Sequence, residues 1–214
     1  WGMGSDLTKD GKLNLDTPEA RQPFQLYGRM KQAGVLPKNI AEIPTDRIRI
    51  DMQAGNLIFA MSWGYVWNRL ENDADSKVKG RIGVARLPHD QGGTSATCIG
   101  GWQVAVTEFS KDKQGAVKFA RYLSSPEVSK QQAILASHLP VFPSVYRDPD
   151  VLKANPWFAD ALPVIESAKA RPVTHQYPQV SDAIRSNMNA YLAGTKTTDT
   201  AIADMKTRLT PIFR

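Results

Sequence analysis

Tryptophan stands next to glycine at Trp63-Gly64 and at Gly101-Trp102, and this pairing suits the binding of sugars. Trp63 lies in Met61-Ser62-Trp63-Gly64-Tyr65, and Trp102 follows Ile99-Gly100-Gly101. A glycine turn can hold an indole ring with one face open, and backbone without Cβ atoms can approach a ligand closely. Because a sugar has an apolar C–H face and a rim of hydroxyls, its sites combine aromatic rings with hydrogen-bonding groups. Burial of both tryptophans in a core is the simpler alternative.

No other pattern in the sequence indicates a reactive centre. His89, His138 and His175 have no second metal ligand at helical or hairpin spacing, and Cys98 is the single cysteine. The glycines form neither of the common phosphate-binding motifs, and the G-x-S-x-G motif of serine hydrolases does not occur. No spacing brings two carboxylates together as glycoside hydrolysis requires. We therefore expect no metal, no cofactor and no catalytic residue.

Composition and charge argue against nucleic acids and membranes as partners. The 27 basic and 21 acidic residues give a net charge of +6, but they are interspersed rather than gathered in a stripe. No apolar run approaches the roughly 20 residues that span a bilayer, so stable membrane insertion is not expected. An apolar fraction of 42% and a charged fraction of 22% are typical of a folded globular protein.

Helix signals cover most of the chain. Asp16-Thr17-Pro18-Glu19 places a capping residue before a proline at the first helical position. Apolar residues then recur at helical spacing there and in several later stretches. We predict helices at about 17–33, 110–123, 126–136, 156–168, 178–193 and 197–209.

Three apolar runs predict β-strands at 55–62, 81–87 and 102–107. The first run ends at Trp63-Gly64, the second is stopped by Pro88, and the third alternates and is rich in valine. Trp63 would then follow the first strand, and Trp102 would begin the third. Few strands among many helices indicate a layered α/β domain rather than a helical bundle or a sandwich.

Six short motifs follow one another along nearly the whole chain. In order they are Asp10-Gly11-Lys12 to Thr17-Pro18-Glu19, Gly55–Tyr65, Gly83–Pro88, Gly100–Val106, Ser110–Phe119 and Leu139–Tyr146. Together they resemble the extracellular solute-binding proteins that deliver sugars to ABC importers, especially the maltose- and trehalose-binding branch. The resemblance implies an α/β fold of the periplasmic-binding-protein type II kind. It implies mainly the C-terminal lobe of that fold, with a short segment of the N-terminal lobe.

Carried over position by position, the resemblance implies a ligand site made of Trp63, Tyr65, Gly100, Gly101, Trp102 and Arg171. The three aromatic residues would be plates under the sugar, and the glycines would offer backbone contacts. The arginine would hydrogen-bond sugar hydroxyls through its planar fork, although a solvated arginine before a loop proline is an equal alternative. Trp67, one helical turn beyond Trp63, is interpreted as helix packing.

The resemblance also implies a division of the chain between two lobes that close on ligand by hinge motion. Residues 1–88 and 126–214 would belong to the C-terminal lobe, while 92–125 would pack in an N-terminal lobe formed mainly by residues preceding Trp1. Trp1-Gly2-Met3-Gly4-Ser5 has neither the basic nor the apolar region of a signal peptide. We interpret the chain as a fragment, natural or truncated, with half a binding site and exposed apolar surface in 92–125.

The expected function is that of the solute-binding component of an ABC importer, not an enzyme. It would bind a carbohydrate, such as trehalose, maltose or another α-glucoside, and present it to the membrane permease subunits. Polyols, glycerol phosphodiesters and peptides are alternative ligands within this class. Its place would be the periplasm or another extracytoplasmic location, with a lipid anchor as an alternative to a free form. A carbohydrate-active enzyme and a protein-interaction module are the alternative functions; only the latter predicts no saccharide dependence.

Overall fold

Helices make up nearly all of the regular structure in the computed structural model, which describes residues 1–213. A single hairpin joins β1 (Thr8–Lys9) to antiparallel β2 (Lys12–Leu13). The helices are α1 (Pro18–Gln32), α2 (Thr45–Gln53), α3 (Tyr65–Asn72), α4 (Lys113–Leu123), α5 (Pro126–Ala136), α6 (Pro143–Tyr146), α7 (Pro149–Ala154), α8 (Phe158–Glu166), α9 (Tyr177–Ala193) and α10 (Thr198–Leu209), with a 3₁₀ turn at Ile40–Glu42.

Side-chain caps explain where the predicted helices begin. Thr17 accepts a hydrogen bond from the Ala20 amide at 3.3 Å, and Ser125 accepts one from the Val128 amide at 3.3 Å. Each cap is followed by a proline at the first helical position, whose missing N–H needs no partner there. The predicted helix at 110–123 starts later, at Lys113, because Asp112 caps it by accepting from the Gly115 amide at 2.8 Å.

The chain divides into two units, each with its own core. The first unit contains residues 1–43, 86–98 and the stretch from Ala168 onward, and the second contains Pro44–Ala85 and Ile99–Ser167. In the first unit α1, α9 and α10 pack together around the fully buried Val180, Ala183, Ala201 and Leu209. Tyr191 of α9 joins this packing by donating its hydroxyl hydrogen bond to the Phe24 carbonyl at 2.7 Å. The unit's core is therefore mainly helical, with Leu15 and Leu13 of the β1–β2 region also packed into it.

An aromatic cluster lies at the centre of the second unit. The ring of Phe158 is fully buried, 4.6 Å from the Trp157 ring at 89° and 5.5 Å from the Tyr146 ring. Trp67 of α3 packs on Trp157 with ring centroids 5.5 Å apart, as predicted for a packing residue. Burial raises the pKa of Tyr146 to about 12 because the charged phenolate would lose its hydration. These four aromatic residues tie α3, α6 and α8 together.

The three predicted strands are wrong for this chain. Residues 55–62, 81–87 and 102–107 have irregular backbone. Within residues 1–213, no backbone-to-backbone hydrogen bond involves 57–62, 82–87 or 102–106. A β-strand needs a neighbouring strand to bond its amide and carbonyl groups, and apolar or valine-rich sequence cannot replace that neighbour. The first run is also not buried, since Ile58 is 86% exposed and Phe59 90% exposed.

A charged cluster at the start of α7 ties that helix to α5. The Asp148 carboxylate accepts from Lys130 Nζ at 2.9 Å and from the amides of Asp150 and Val151 at 3.0 and 3.3 Å. The hydrogen bond from Lys130 lowers the pKa of Asp148, and the two amide bonds act in the same direction. Asp148 therefore both caps α7 and favours the folded state when it is ionised.

The lowered pKa predicts how acid will affect the folded chain. A carboxylate with a lower pKa in the folded state stabilises the fold above its unfolded value of about 3.9. That contribution disappears as the pH falls through the folded value. We expect Asp148→Asn to be less stable than the parent at pH 7 and to converge with it in acid, because asparagine still caps the helix. Urea unfolding between pH 2 and 7 measures this.

Glu108→Gln is the matched control, since Glu108 is an exposed carboxylate of the same unit. Its unfolding free energy should follow that of the parent at every pH. A constant difference between Asp148→Asn and the parent down to the lowest pH would contradict the role assigned to the Asp148 carboxylate.

Candidate functional site

Two of the predicted plates, Trp63 and Tyr65, lie together in the second unit. Their ring centroids are 6.4 Å apart and the ring planes differ by 19°, so the two rings are stacked. Trp63 is 60% exposed, which leaves much of its indole open to solvent, whereas Tyr65 is half-buried. An open indole backed by a second ring offers the kind of flat apolar surface on which the C–H face of a sugar can lie.

Close packing at Gly64 fixes the position of this stacked pair. Gly64 is the residue before α3, and a Cβ atom there would lie 2.7 Å from Leu139 Cγ. Only glycine permits this approach, so the start of α3 rests directly on Leu139. Val66 and Leu70 of α3 are buried below it. The helix is therefore anchored on one face, while Tyr65 lies on another.

A polar crevice lies beside Tyr65, between α2 and α3. Its volume is about 350 Å³, within the roughly 300–1,000 Å³ range of small-molecule sites. It is lined by Asp46, Arg49, Tyr65, Arg69 and Asp73. A second crevice, near Lys12 and Lys206 in the first unit, is smaller at about 180 Å³. Volume and the neighbouring aromatic pair both favour the first crevice as a place for a ligand.

Sequence reasoning did not find four of these five lining residues. The α2 segment Thr45–Gln53 was assigned no element, and its charged residues belong to no motif. A usable signal was present, since Asp46, Arg49 and Gln53 recur at i, i+3 and i+7 and so share one helical face. Tyr65 and Arg69 share a face of α3 in the same way, four residues apart.

Trp102 and its glycines are placed differently from the prediction. Gly100 and Gly101 form no turn and have no positive φ, and nothing lies within 4 Å of a Cβ built on Gly101. The close-packed glycine turn predicted to hold the indole is therefore wrong, because a close-packed turn needs neighbouring atoms that this stretch lacks. Trp102 itself is fully exposed and stacks on no ring among the described residues. Its proposed place in a ligand site stays a prediction.

Arg171 belongs to the first unit and lies on an aromatic ring. Its guanidinium carbon is 5.0 Å from the centroid of the Tyr177 ring, a distance at which cation and ring attract. The nearby backbone is held by Lys169, whose amide donates to the Thr97 carbonyl at 2.8 Å. Arg171 is nevertheless exposed, so N–H groups of its guanidinium are accessible to a ligand. The Tyr177 ring thus fixes the position of the Arg171 side chain. Its role in sugar binding stays a prediction.

Two other kinds of site receive no support from the described residues. Within 1–213, no three His, Cys, Asp or Glu side chains come close enough to hold a metal ion. None of the helices in that range combines the length and the apolar character needed to cross a bilayer. The stacked pair and the crevice beside it are accordingly the candidate site.

Comparison with known proteins places this chain among binding proteins. A "Probable ABC transporter-binding protein" of Deinococcus radiodurans is 36% identical over 196 residues, covering 90% of this chain and 46% of that protein. Maltose-bound MalE3 of T. maritima is 31% identical with a TM-score of 0.92, over 99% of this chain and 55% of that one. A solute-binding protein of Thermotoga lettingae bound with α-D-tagatose is 25% identical with a TM-score of 0.83, over 100% and 54%.

The likeness confirms the expected fold class and shows how much of it is present. The backbone follows that of MalE-type binding proteins, so the α/β fold of the periplasmic-binding-protein type II kind is the right one. This chain spans about half the length of the relatives it matches. Residues 1–160 match the family described as bacterial extracellular solute-binding proteins. The chain belongs to that family of extracellular solute-binding proteins.

Proposed function

We propose that this chain carries one side of the carbohydrate site of an ABC-importer binding protein. The observation that carries the proposal is the stacked Trp63–Tyr65 pair, whose indole is open to solvent beside a polar crevice. Aromatic faces next to convergent donors and acceptors are the ordinary composition of sugar sites. The names of the relatives support the same class, since one was solved with maltose and another with α-D-tagatose.

An α-glucoside such as maltose or trehalose is the ligand we propose first. The similarity to maltose-bound MalE3, at 31% identity over 99% of this chain, supports this choice over other solutes. Trp63, Tyr65, Gly100, Gly101, Trp102 and Arg171 are the proposed ligand-binding residues. The protein would act by binding and release alone, and its family consists of solute-binding proteins rather than enzymes.

We further propose that the other side of the site comes from polypeptide beyond the 214 residues. Apolar side chains of the second unit face solvent at Ile58, Phe59, Met61, Ile99, Trp102, Val104, Phe109, Phe119 and Tyr122. So much exposed apolar surface on one unit marks a region that packs against another polypeptide. We assign 92–125 to an N-terminal lobe, and 1–88 and 126–214 to the C-terminal lobe. The exposed apolar residues from Ile99 to Tyr122 lie in the segment assigned to the N-terminal lobe, so the remainder of that lobe would cover them. Closure of two such lobes on ligand would present the loaded form to membrane permease subunits outside the cytoplasm.

Replacing Trp63 by alanine tests the site. This chain alone should bind maltose with a dissociation constant of roughly 1 mM, since a one-sided site makes few contacts. We expect Trp63→Ala to weaken that binding by about 1 to 3 kcal/mol, which raises the dissociation constant about 5- to 150-fold. Saturation-transfer NMR with maltose, trehalose, tagatose and amino acids measures both quantities.

Phe109→Ala provides the control, because Phe109 is also a highly exposed aromatic residue of the second unit but its ring stacks on neither ring of the pair. It should leave saccharide binding unchanged. Equal binding by Trp63→Ala and the parent would exclude Trp63 from the site, and a response to amino acids alone would replace the carbohydrate assignment.

A further inference from the structure

A buried amide connects the two walls of the crevice between α2 and α3. Gln53 is only 5% exposed, and its side chain makes three hydrogen bonds. Its Oε1 accepts from Arg49 Nη1 at 2.8 Å, and its Nε2 donates to Asp73 Oδ2 at 3.3 Å and to Asp75 Oδ1 at 2.8 Å. Both protons of the amide and its oxygen are thus occupied. Since a buried amide without partners is costly, this arrangement holds Arg49 and Asp73 in fixed positions.

Arg49 and Asp73 line the crevice from different sides. Arg49 lies on α2, and Asp73 is the residue that ends α3. Asp73 is also 3.5 Å from Arg69 Nη1 through its other carboxylate oxygen. One buried residue therefore orients a cationic donor and an anionic acceptor that face the same space. Surface side chains without such support would lose more conformational entropy on binding a ligand.

The charges around the crevice cancel. Arg49 and Arg69 contribute two positive charges, and Asp46 and Asp73 contribute two negative charges. Such a lining favours neither an anion nor a cation, but it offers guanidinium donors and carboxylate acceptors close together. A hydroxyl group donates one hydrogen bond and accepts up to two. Several adjacent sugar hydroxyls therefore match a lining that contains both donors and acceptors. The ring of Tyr65 adds an apolar wall, and its centroid lies 6.4 Å from that of the open indole of Trp63.

We propose that this crevice is the hydroxyl-binding part of the carbohydrate site. Arg49 and Arg69 donate to sugar oxygens, Asp46 and Asp73 accept from sugar hydroxyls, and Tyr65 and Trp63 contact the C–H face. Gln53 is a positioning residue that holds Arg49 and Asp73 in place. This inference rests on the proposed function and adds to it the residues that recognise a neutral polyhydroxylated ring.

NMR titration of the 214-residue chain with maltose tests the proposal. Arginine Nε–Hε signals report on Arg49 and Arg69, and the indole N–H signal reports on Trp63. We expect all three to shift together, with a common dissociation constant. Arg49→Gln should raise that constant about tenfold or more, the scale of a lost hydrogen bond to a charged group. Arg47→Gln on the same helix should not, because Arg47 pairs with Asp51 at 2.9 Å and does not line the crevice.

Gln53→Met separates positioning from simple stability. In this variant maltose should still shift the Trp63 indole signal, but the Arg49 signal should no longer move with it. If maltose shifts the indole signal of the parent while both arginine signals stay still, the crevice is not part of the site and the proposed function stands. If no saccharide shifts any signal, the proposed function fails and this inference with it. Tighter binding of inorganic phosphate than of maltose at the arginines would overturn the neutral-ligand assignment.

Discussion

The dissociation constant for maltose is expected to fall about a thousandfold when this chain is joined to the half of a relative that it does not span. A one-sided site leaves most of the ligand in water, whereas closed sites bury roughly 70–90% of its surface. Doubling the contacts of a millimolar site adds about 4 kcal/mol and gives a micromolar one. Isothermal titration calorimetry of this chain and of a fusion with the unmatched part of the Deinococcus radiodurans relative measures the difference.

Replacing Trp102 in the chain and in the fusion tests whether this residue contacts the ligand in the two-lobed protein. Trp102 lies in the segment 92–125 assigned to the N-terminal lobe, and it is fully exposed in this chain. We expect it to reach the ligand only when the rest of that lobe is present, so Trp102→Ala should not alter the weak binding of the chain alone. In the fusion the same change should cost about 1 to 3 kcal/mol of affinity, the scale of a lost aromatic contact. If the chain and a folded fusion bind maltose with equal affinity, the proposal that a second lobe completes the site is wrong. If Trp102→Ala leaves the affinity of the fusion unchanged, Trp102 is not part of the site.

Phe158→Ala is expected to lower the free energy of unfolding by about 3 to 5 kcal/mol. The Phe158 side chain is fully buried and touches the rings of Trp157 and Tyr146, so its removal leaves a cavity at the centre of the second unit. The surrounding aromatic rings are rigid and are shared by three helices, which limits how far the cavity can close. Urea unfolding followed by near-ultraviolet circular dichroism measures the loss.

Phe109→Ala is the matched control for that experiment because Phe109 is 84% exposed. It should change the unfolding free energy by less than about 0.5 kcal/mol, as surface substitutions usually do. A loss below about 1 kcal/mol for Phe158→Ala would mean that the cluster repacks around the gap, in contrast to the rigid centre described above.

Local signals were enough to predict six helices, α1, α4, α5, α8, α9 and α10, but they did not predict α2, α6 or α7, and they predicted three strands that do not form. A cap such as Thr17 or Ser125 followed by proline acts within one turn, so neighbouring residues alone determine where α1 and α5 begin. A strand depends on a partner that can lie anywhere in the chain or outside it. The run at 55–62 has the composition of a buried strand, yet within residues 1–213 no backbone hydrogen bond joins 57–62 to another segment.

The site was predictable where it depends on residue type and not where it depends on helix geometry. Trp63 was singled out because a tryptophan beside glycine is recognisable in sequence, and Tyr65 was added by the resemblance to the family. The two rings stack in the structure. Arg49 and Gln53 were missed because charged and amide residues on a short helix are usually solvated. Only the packing of α2 on α3 buries Gln53 and gives it three partners.

The uneven burial of the tryptophans has an optical consequence. Trp63 and Trp102 are open to water, whereas Trp157 is buried against Phe158. An indole in water emits at longer wavelength and meets dissolved quenchers, and a buried one does neither to the same extent. Excited by the same light, this chain therefore emits from exposed and buried tryptophans, with the half-buried Trp1 and Trp67 between these two extremes. The red-shifted, quenchable population comes largely from the residues assigned to sugar binding.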